Sequence, residues 1–364
     1  MNGRKPRSRG PTMSSEEIFP NVTIGLDLGD KVSRVCEIDA GGKIVKTAAV
    51  ATTPGAMERY FGGRARCRVV VEVSTHSPWL SRLLKELGHE VVVANTSEVY
   101  AKRPRKRRND RTDAEFLARQ GRADVTLLHP IKHRGAEAQQ DLALLRARDQ
   151  LVGARTKLIN HVRGAVKSLG ARINKCSAEA FAKQAAGQVP EALRPSLTPL
   201  LEVIADLTKR IREMDEQVEQ MIEEHPEAVR LQQPRGVGAL TSLAFVRAVE
   251  DPARFRHSRQ VGAYFGLVPK LDDSSDSSPQ LHITKAGDAL VRKYLVSAAH
   301  YILGPFGDDC DLRRYGEAIA ARGGKNAKKR AAVAVARKLA VMLHRLWVDK
   351  ADYDPDWTQR RRAA

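Results

Sequence analysis

The first part of the chain alternates apolar and polar residues with the period of β-strands. Short β-branched runs cover residues 22–29, 32–39 and 43–50, and turn residues separate them. Runs of this length bounded by glycine and aspartate are typical of hairpin-connected strands. The pattern therefore predicts an antiparallel meander of three strands.

Two continuous apolar runs, residues 67–73 and 89–95, come next and are typical of strands that are covered on both faces. The leucine spacing between them predicts a helix from Ser77 to Leu87. A strand, a helix and a second strand in succession predict a right-handed parallel crossover. The chain is therefore predicted to begin with an α/β domain built on a mixed sheet, on the plan of the ribonuclease H-like fold.

Helical periodicity replaces the strand pattern further along the chain. From Leu200 to Met221, apolar residues alternate three and four apart as an unbroken heptad repeat. Such a repeat suits either an antiparallel hairpin or a coiled coil between subunits. Further helices are predicted from Ala289 to about Leu303 and within residues 323–347. The pattern predicts a helical, coiled-coil middle and a mostly α-helical C-terminal domain.

The sequence PRGVG, which begins at Pro234, resembles a helix-hairpin-helix turn. Gly236 and Gly238 would expose backbone N–H groups at a helix start, where a nucleic-acid phosphate can bind. An ordinary tight turn explains the same residues about equally well. The turn is therefore a candidate nucleic-acid contact only in combination with other signals.

Charge narrows the class of partner. The 364 residues include 62 Lys and Arg against 43 Asp and Glu, a formal net charge of +19. Such an excess favours a polyanionic partner, most often a nucleic acid. The sequence has neither the long apolar run of a membrane span nor the apolar region of a secretory signal. Its four scattered cysteines argue against structural zinc and disulfides, and they fit a reducing cytoplasm.

Shifts in composition divide the chain into five predicted segments. Residues 1–20 form a basic disordered arm, and residues 21–125 form the mixed-sheet domain. A helical linker covers residues 126–230, and the C-terminal domain covers residues 231–348. We expect the tail, residues 349–364, to be loose.

Four carboxylates are candidates for catalysis. Asp27 lies within the first predicted strand and Glu72 ends the fourth, so the two would be about 5 Å apart on neighbouring strands. Asp110 and Asp113 are three residues apart, on one face of a helical turn. The alternative for Asp110 is a helix N-cap, with Asp113 completing a capping box. Four converging carboxylates are what a pair of Mg²⁺ ions needs to act on a phosphodiester.

Basic side chains cluster at two places and could contact a nucleic-acid backbone. Seven of the ten residues 102–111 are basic, too dense for a loop that is merely solvated. A second basic stretch precedes the last predicted helix. With the two turn glycines, the candidate nucleic-acid contacts are Lys102, Arg103, Arg105, Lys106, Arg107, Arg108, Gly236, Gly238, Lys285, Lys325, Lys328, Lys329 and Arg330.

Taken together, these motifs resemble the DEDD transposases of the insertion sequence 110 family, including its 1111 subgroup. IGLDLG carries Asp27, VVVEVS carries Glu72, and NDRTDAEFLA carries the two remaining acids. GLVP is followed by KLDD and Ser274, and ITKAGD then begins in the family's register without a gap. The resemblance covers about residues 21–347.

The resemblance implies a RuvC-like N-terminal domain and a C-terminal transposase domain. It implies that Asp27, Glu72, Asp110 and Asp113 bind Mg²⁺, as two ions with Mn²⁺ as an alternative metal. Ser274 would attack the scissile phosphate and form a covalent bond to the DNA 5′ end, with Asp113 as one candidate base. The implied partners are DNA at the element ends and target, a structured guide RNA, and copies of the chain that form a homodimer assembling to a tetramer. The implied location is a prokaryotic cytoplasm, in association with the nucleoid.

Some residues depart from the family pattern and leave alternatives open. Ser275 stands where the family has glycine, so Ser277 and Ser278 are alternative nucleophiles. A RuvC-type nuclease that uses the acids alone and a non-catalytic nucleic-acid-binding derivative are the rival functions. A sugar-kinase-type ATPase is a weaker rival, because the sequence lacks that fold's second glycine-rich phosphate loop.

Overall fold

The computed structural model describes residues 21–95, 110–271, 281–357 and 360. It divides into two compact units, Met1–Arg134 and Gly135–Ala364. The predicted basic arm, the basic run from Lys102 to Arg108 and Ser274 lie outside the described residues, as do the side chains of Asp110 and Arg111. The separation of a linker from a C-terminal domain at residue 230 stays a prediction.

The first unit is built on a mixed five-stranded sheet. Its strands are β1 (Val22–Asp27), β2 (Val32–Asp39), β3 (Ile44–Ala51), β4 (Arg68–Glu72) and β5 (Glu90–Ala94). They lie in the order β3-β2-β1-β4-β5. β2 is antiparallel to β1 and to β3, whereas β4 is parallel to β1 and to β5. The predicted meander and parallel crossover are therefore confirmed.

Helices cover both faces of this sheet. The helices α1 (Pro54–Phe61) and α2 (Ser77–Glu86) pack on one face, against a core that includes Leu26 and Val71. On the other face lies α3 (Asp110–Ala123), followed by a short 3₁₀ turn, Val125–Leu128. Ala114 and Ala118 of α3 pack there with Cys36 and Ile38 of β2. The sequence pattern predicted α2 and a helical turn at the start of α3, but it did not predict α1.

Two glycines allow α3 to lie directly on the sheet. A Cβ atom at Gly25 would come within 2.0 Å of the carbonyl oxygen of Ala114, so no larger residue fits against the helix there. A Cβ atom at Gly121 would lie 2.2 Å from a methyl group of Val70. The position of α3 over β1 and β4 therefore depends on these two close contacts.

The second unit is helical. Its helices are α4 (Ala136–Ser168), α5 (Phe181–Ala186), α6 (Arg194–Glu223), α7 (Pro226–Arg230), α8 (Ala239–Val249), α9 (Gln260–Tyr264), α10 (Ala289–Ile302), α11 (Asp311–Ala320) and α12 (Ala327–Asp349), with 3₁₀ turns at Glu191–Leu193 and Pro252–Arg254. The predicted helices near residues 289–303 and 323–347 are confirmed as α10 and α12. Among the described residues, no helix combines the length and the apolar character that crossing a membrane requires.

The apolar residues of the heptad repeat in α6 pack against other parts of the same chain. Ile204, Ile211 and Val218 are buried. Arg148, in the first half of α4, pairs with Asp215, in the second half of α6. Arg155, further along α4, donates to Thr208, which is earlier in α6. The two helices therefore form the antiparallel hairpin that the repeat allowed. A coiled coil between subunits stays a prediction.

The expectation of a loose tail is wrong for residues 351–357. The backbone N–H of Asp311 donates to the carbonyl of Pro355 at 2.8 Å. The Arg345 guanidinium lies 3.7 Å from the ring centroid of Trp357. Tyr353 packs against the large core of the second unit. Aromatic side chains and backbone hydrogen bonds therefore attach this polar segment to α11 and α12.

Candidate active site at the edge of the mixed sheet

Asp27 and Glu72 lie side by side at the carboxyl edge of the sheet. They end the parallel neighbours β1 and β4, and the preceding residues, Leu26 and Val71, are register partners. Leu26 and Val71 belong to the core under α1 and α2. Because successive side chains of a strand point to opposite faces, Asp27 and Glu72 lie on the face that α3 covers.

The first turn of α3 lies at the same edge of the sheet. The end of α3 is attached to the opposite edge, where the side chains of Arg119 and Arg122 donate to the carbonyls of Gly42 and Ala40 in the β2–β3 turn. Asp113 comes just before Ala114, which contacts Gly25 of β1. Asp113, like Asp27 and Glu72, is half-buried. The fold thus brings three of the four predicted acids to one edge and one face.

The fourth acid, Asp110, begins α3 and is one helical turn from Asp113. Its backbone position places it at the same end of the helix. Its side chain lies outside the described residues, so its share in the site stays a prediction.

Arg34 is a basic residue at this site that the sequence analysis did not single out. It is the register partner of Asp27 on the antiparallel strand β2. Cys36, two residues further on, packs against α3, so Arg34 lies on the same face as Asp27. Cross-strand partners have Cβ atoms about 5 Å apart. A guanidinium beside carboxylates can bind a phosphate oxygen, because it supplies several N–H donors and a permanent charge.

Two histidines, His76 and His133, lie near the start of α2. His76 Nε2 is 3.6 Å from a carboxylate oxygen of Asp30. His133 Nε2 is 2.8 Å from the hydroxyl oxygen of Ser77. Burial lowers the pKa of His133, and neighbouring cations, Arg82 first, lower it further. His133 is therefore held as a neutral ring beside the start of α2.

Comparison with known proteins assigns these domains. Residues 24–170 match the model of the IS110 DEDD transposases, described as "Transposase", and residues 228–306 match the model described as "Transposase IS116/IS110/IS902 family". The chain belongs to the IS110 family of transposases. As a member of this family it is a DNA transposase, an enzyme of insertion sequences.

Relatives of this transposase match it along most of their length. It is 28% identical to the transposase for insertion sequence element IS1111A of Coxiella burnetii, over 91% of this chain and 90% of the relative. It is 27% identical to a probable family 20 transposase of Pseudomonas aeruginosa, over 91% and 98%. It is also 27% identical to the transposase for IS1328 of Yersinia enterocolitica, over 77% and 84%.

In this transposase, the segments that flank residues 272–280 are paired with each other. Pro269 and Ile283 form an antiparallel bridge. The N–H of Lys270 donates to the carbonyl of His282, and the N–H of Thr284 donates to the carbonyl of Val268, each at 2.9 Å. The two motifs that carried the resemblance in this region, GLVP and ITKAGD, are therefore neighbours in the fold.

The predicted nucleic-acid contacts that the structure describes are all on the second unit. Gly236 has a φ of +93° and Gly238 precedes the first residue of α8, so PRGVG forms the turn between α7 and α8. The remaining candidates are exposed, at the turn after Ile283 and around the start of α12: Lys285, Lys325, Lys328, Lys329 and Arg330. Their contact with nucleic acid stays a prediction.

A second group of acids in the transposase is an ion-pair network. Glu137, Asp141 and His225 each offer an atom within 4.8 Å of the others, which is the spacing of a metal site. Arg247 already occupies this position, with nitrogens 2.8 Å from Glu137 and 2.5 Å from Asp141. The contact with Asp141 is an ion pair and not an aligned hydrogen bond. The guanidinium supplies the positive charge that a metal would bring, so we assign this cluster a structural role.

Replacing Arg247 with methionine is expected to destabilise the second unit by about 3 kcal/mol, because the carboxylate of Asp141, one oxygen of which is fully buried, would lose its arginine partner. Urea unfolding followed by circular dichroism measures the change. Arg210→Met is the matched control, since Arg210 pairs with Asp206 on the exposed side of α6 and should leave the midpoint unchanged. Equal midpoints for wild type and Arg247→Met would contradict the structural role.

Proposed function

We propose that this transposase cuts and exchanges DNA strands at the ends of an insertion sequence through a covalent serine–DNA intermediate. The observation that carries the proposal is the meeting of Asp27, Glu72 and the first turn of α3 at one edge of the sheet. The strand order, with three antiparallel strands followed by two parallel ones, supports a RuvC-like fold for this unit.

The acids at this edge fit a divalent metal. Asp27, Glu72 and Asp113 offer carboxylate oxygens from three different elements, and Asp110 would add a fourth. Oxygen ligands of this kind suit Mg²⁺ or Mn²⁺, and acids from separate elements can surround two ions. Bound there, the ions would supply positive charge to a phosphate that is being cut. Arg34, on the same face, would bind a non-bridging phosphate oxygen.

The serine step accounts for strand exchange without a nucleotide cofactor. The Ser274 oxygen attacks phosphorus, a bond forms from serine to the DNA 5′ phosphate, and the bond from phosphorus to the 3′ oxygen breaks. The proton of the serine passes to a base, for which Asp113 is our candidate. The leaving 3′ oxygen takes a proton from a water molecule, so the leaving strand ends in a 3′ hydroxyl. The phosphoserine bond keeps the energy of the phosphodiester, so a 3′ hydroxyl of another strand can reverse the step. The pairing of GLVP with ITKAGD on either side of the serine segment supports this choice of serine.

The net charge of the chain and its family support a set of proposed partners: DNA, a guide RNA and further copies of the chain. A net charge of +19 is sufficient to contact more than one nucleic acid, which supports binding of a structured guide RNA together with DNA. We propose that the active form is a homodimer that assembles to a tetramer on the element ends. We propose that the protein acts in the prokaryotic cytoplasm, in association with the nucleoid, where the DNA of an insertion sequence is located.

A covalent-adduct assay tests the serine chemistry. The full chain is incubated with DNA carrying the element ends, Mg²⁺ and RNA transcribed from the flanks of the coding region, and then denatured. We expect a protein–DNA adduct from wild type, from Ser277→Ala and from Ser278→Ala, and none from Ser274→Ala. DNA cut by Ser274→Ala at the wild-type rate would instead indicate a RuvC-type nuclease. Neither adduct nor cleavage with wild type would indicate a non-catalytic binding protein.

A further inference from the structure

One end of the α4–α6 hairpin is rich in basic side chains and poor in acidic ones. Residues 150–178, from the middle of α4 to the loop that follows it, contain six Arg and Lys residues and no Asp or Glu. Four of the six are exposed, and we call these four side chains the basic end: Lys157, Lys167, Arg172 and Lys175. An exposed group of cations without acids among them attracts a polyanion.

The acids of the neighbouring elements do not cancel this charge. Residues 150–208, which include α5 and the first half of α6, contain eight basic and four acidic side chains. Two of the four acids are paired with arginines, at 3.1 Å for Glu179 and 2.9 Å for Asp206. Glu191 and Glu202 remain, against seven basic side chains outside those two pairs. This end of the hairpin is therefore strongly positive.

The loop of the basic end is held in place from within the hairpin. Arg163 of α4 donates to the carbonyl of Ile173 at 3.0 Å and to that of Asn174 at 3.3 Å. Its guanidinium lies 5.0 Å from the ring centroid of Phe181. The backbone N–H of Asn174 donates to the side-chain oxygen of Gln188 at 2.8 Å. The fold therefore presents the two exposed cations of this loop from a fixed backbone.

The helical part of the basic end is an open face of α4. Lys157, Asn160, Gly164 and Lys167 follow one another at intervals of three and four residues, so they lie on one side of the helix. All four are exposed, and a Cβ atom at Gly164 would meet no atom within 4 Å. The two lysines are about 15 Å apart along the helix axis. The helix dipole favours a cation in the last turn alone, so it accounts for Lys167 and not for Lys157.

This shape and charge fit the major groove of duplex DNA. The major groove of B-DNA is about 12 Å wide and admits an α-helix, whereas that of A-form RNA is deep and narrow. A second copy of the chain fits less well, because a symmetric contact would place this basic face against itself. DNA is also the polyanion on which a transposase acts.

We propose that the end of the α4–α6 hairpin binds in the major groove of duplex DNA. The open face of α4 enters the groove, and the four cations of the basic end contact phosphates on either side of it. None of these residues belongs to the candidate acid site or to the nucleic-acid contacts predicted from the sequence. The inference needs only that the chain binds DNA, and it rests on no step of the serine chemistry.

The salt dependence of DNA binding tests this contact. Fluorescence anisotropy measures the affinity of the full chain for a labelled element-end duplex, without RNA and without Mg²⁺, between about 50 and 200 mM KCl. Each lost phosphate contact lowers the slope of log K against log salt by about 0.9 on B-DNA. We therefore expect Lys157→Gln/Lys167→Gln and Arg172→Gln/Lys175→Gln each to lower the slope by about two. Footprinting with dimethyl sulfate, which methylates guanine N7 in the major groove, should show protection by wild type that both double variants lose.

Lys43→Gln/Arg66→Gln is the matched control, because it removes the same two charges from exposed positions of the first unit. Its slope and footprint should equal those of wild type. Wild-type slopes for both hairpin variants would overturn the proposal. An equal loss of slope on an A-form RNA duplex of the same sequence would overturn the choice of DNA. A changed oligomeric state by light scattering, with DNA binding intact, would indicate a protein contact instead.

The outcome is separable from the serine chemistry. Ser274→Ala should give the same slope and footprint as wild type, since binding precedes cleavage. A footprint that depends on the basic end, in a wild-type chain that forms no adduct, would retain the groove contact and reject the covalent intermediate.

Discussion

Asparagine at position 27 is expected to reduce DNA cleavage by about a thousandfold while leaving the fold intact. Asparagine keeps the size and one oxygen of aspartate, but it lacks the negative charge that attracts a divalent cation. Losses of this order accompany the removal of one group that stabilises charge in the transition state. The initial rate of adduct formation in Mg²⁺ measures the effect, and thermal unfolding by circular dichroism verifies the fold.

Asp30→Asn is the matched control for this substitution. Asp30 lies three residues further on, after the end of β1, and its side chain is 91% exposed. Its substitution removes the same negative charge from this region, but it removes no predicted metal ligand. We expect this variant to retain cleavage. Isothermal titration with Mn²⁺ in the absence of DNA adds a second readout, since Asp27→Asn should bind the metal more weakly. A wild-type cleavage rate with Asp27→Asn would refute the acid site.

A single methyl group at position 25 is expected to destabilise the first unit by about 3 kcal/mol. The Cβ atom of Gly25→Ala would lie 2.0 Å from the carbonyl oxygen of Ala114 and 2.5 Å from the backbone nitrogen of Ala118. The helix α3 must then move away from β1. Overpacking of this kind typically costs about 1–3 kcal/mol, and a contact with rigid backbone atoms belongs at the upper end of that range. Because Asp113 lies on the first turn of that helix, we expect cleavage to fall with stability. Urea unfolding and the adduct assay measure the two effects.

Gly153→Ala is the control that tests whether a methyl group added at any glycine would destabilise the protein. Gly153 lies within α4, and no atom lies within 4 Å of the position its Cβ would take. Alanine is a better helix former than glycine, so this variant should be more stable by about 0.5–1 kcal/mol. Gly25→Ala and Gly153→Ala should thus change stability in opposite directions. Similar shifts for both would refute the close contact between α3 and β1.

The spacing of apolar residues in the sequence predicted the strands and the long helices correctly. The strands and the long helices each have several apolar residues at the correct spacing, so neighbouring positions support the same interpretation. Helix α1 was missed because only Met57 and Phe61 are buried in its eight residues, which is too few to show a period. The packing of residues 351–357 was missed because it depends on partners such as Arg345, far away in the sequence.

The candidate site was predictable to the same extent. Parallel neighbours end at one edge, so a correct strand order was enough to bring Asp27 and Glu72 together. Arg34 was not found, because its position opposite Asp27 depends on the exact register of the β1–β2 hairpin.

The backbone ladder between residues 268–270 and 282–284 has a consequence for engineering. Its hydrogen bonds join main-chain atoms, so they do not depend on the identity of the side chains between the two anchors. A segment taken from another insertion sequence can accordingly be joined to the same two anchors, because the hydrogen bonds that hold the anchors together remain. Chimaeras built on these anchors would separate the contribution of the segment from that of its host.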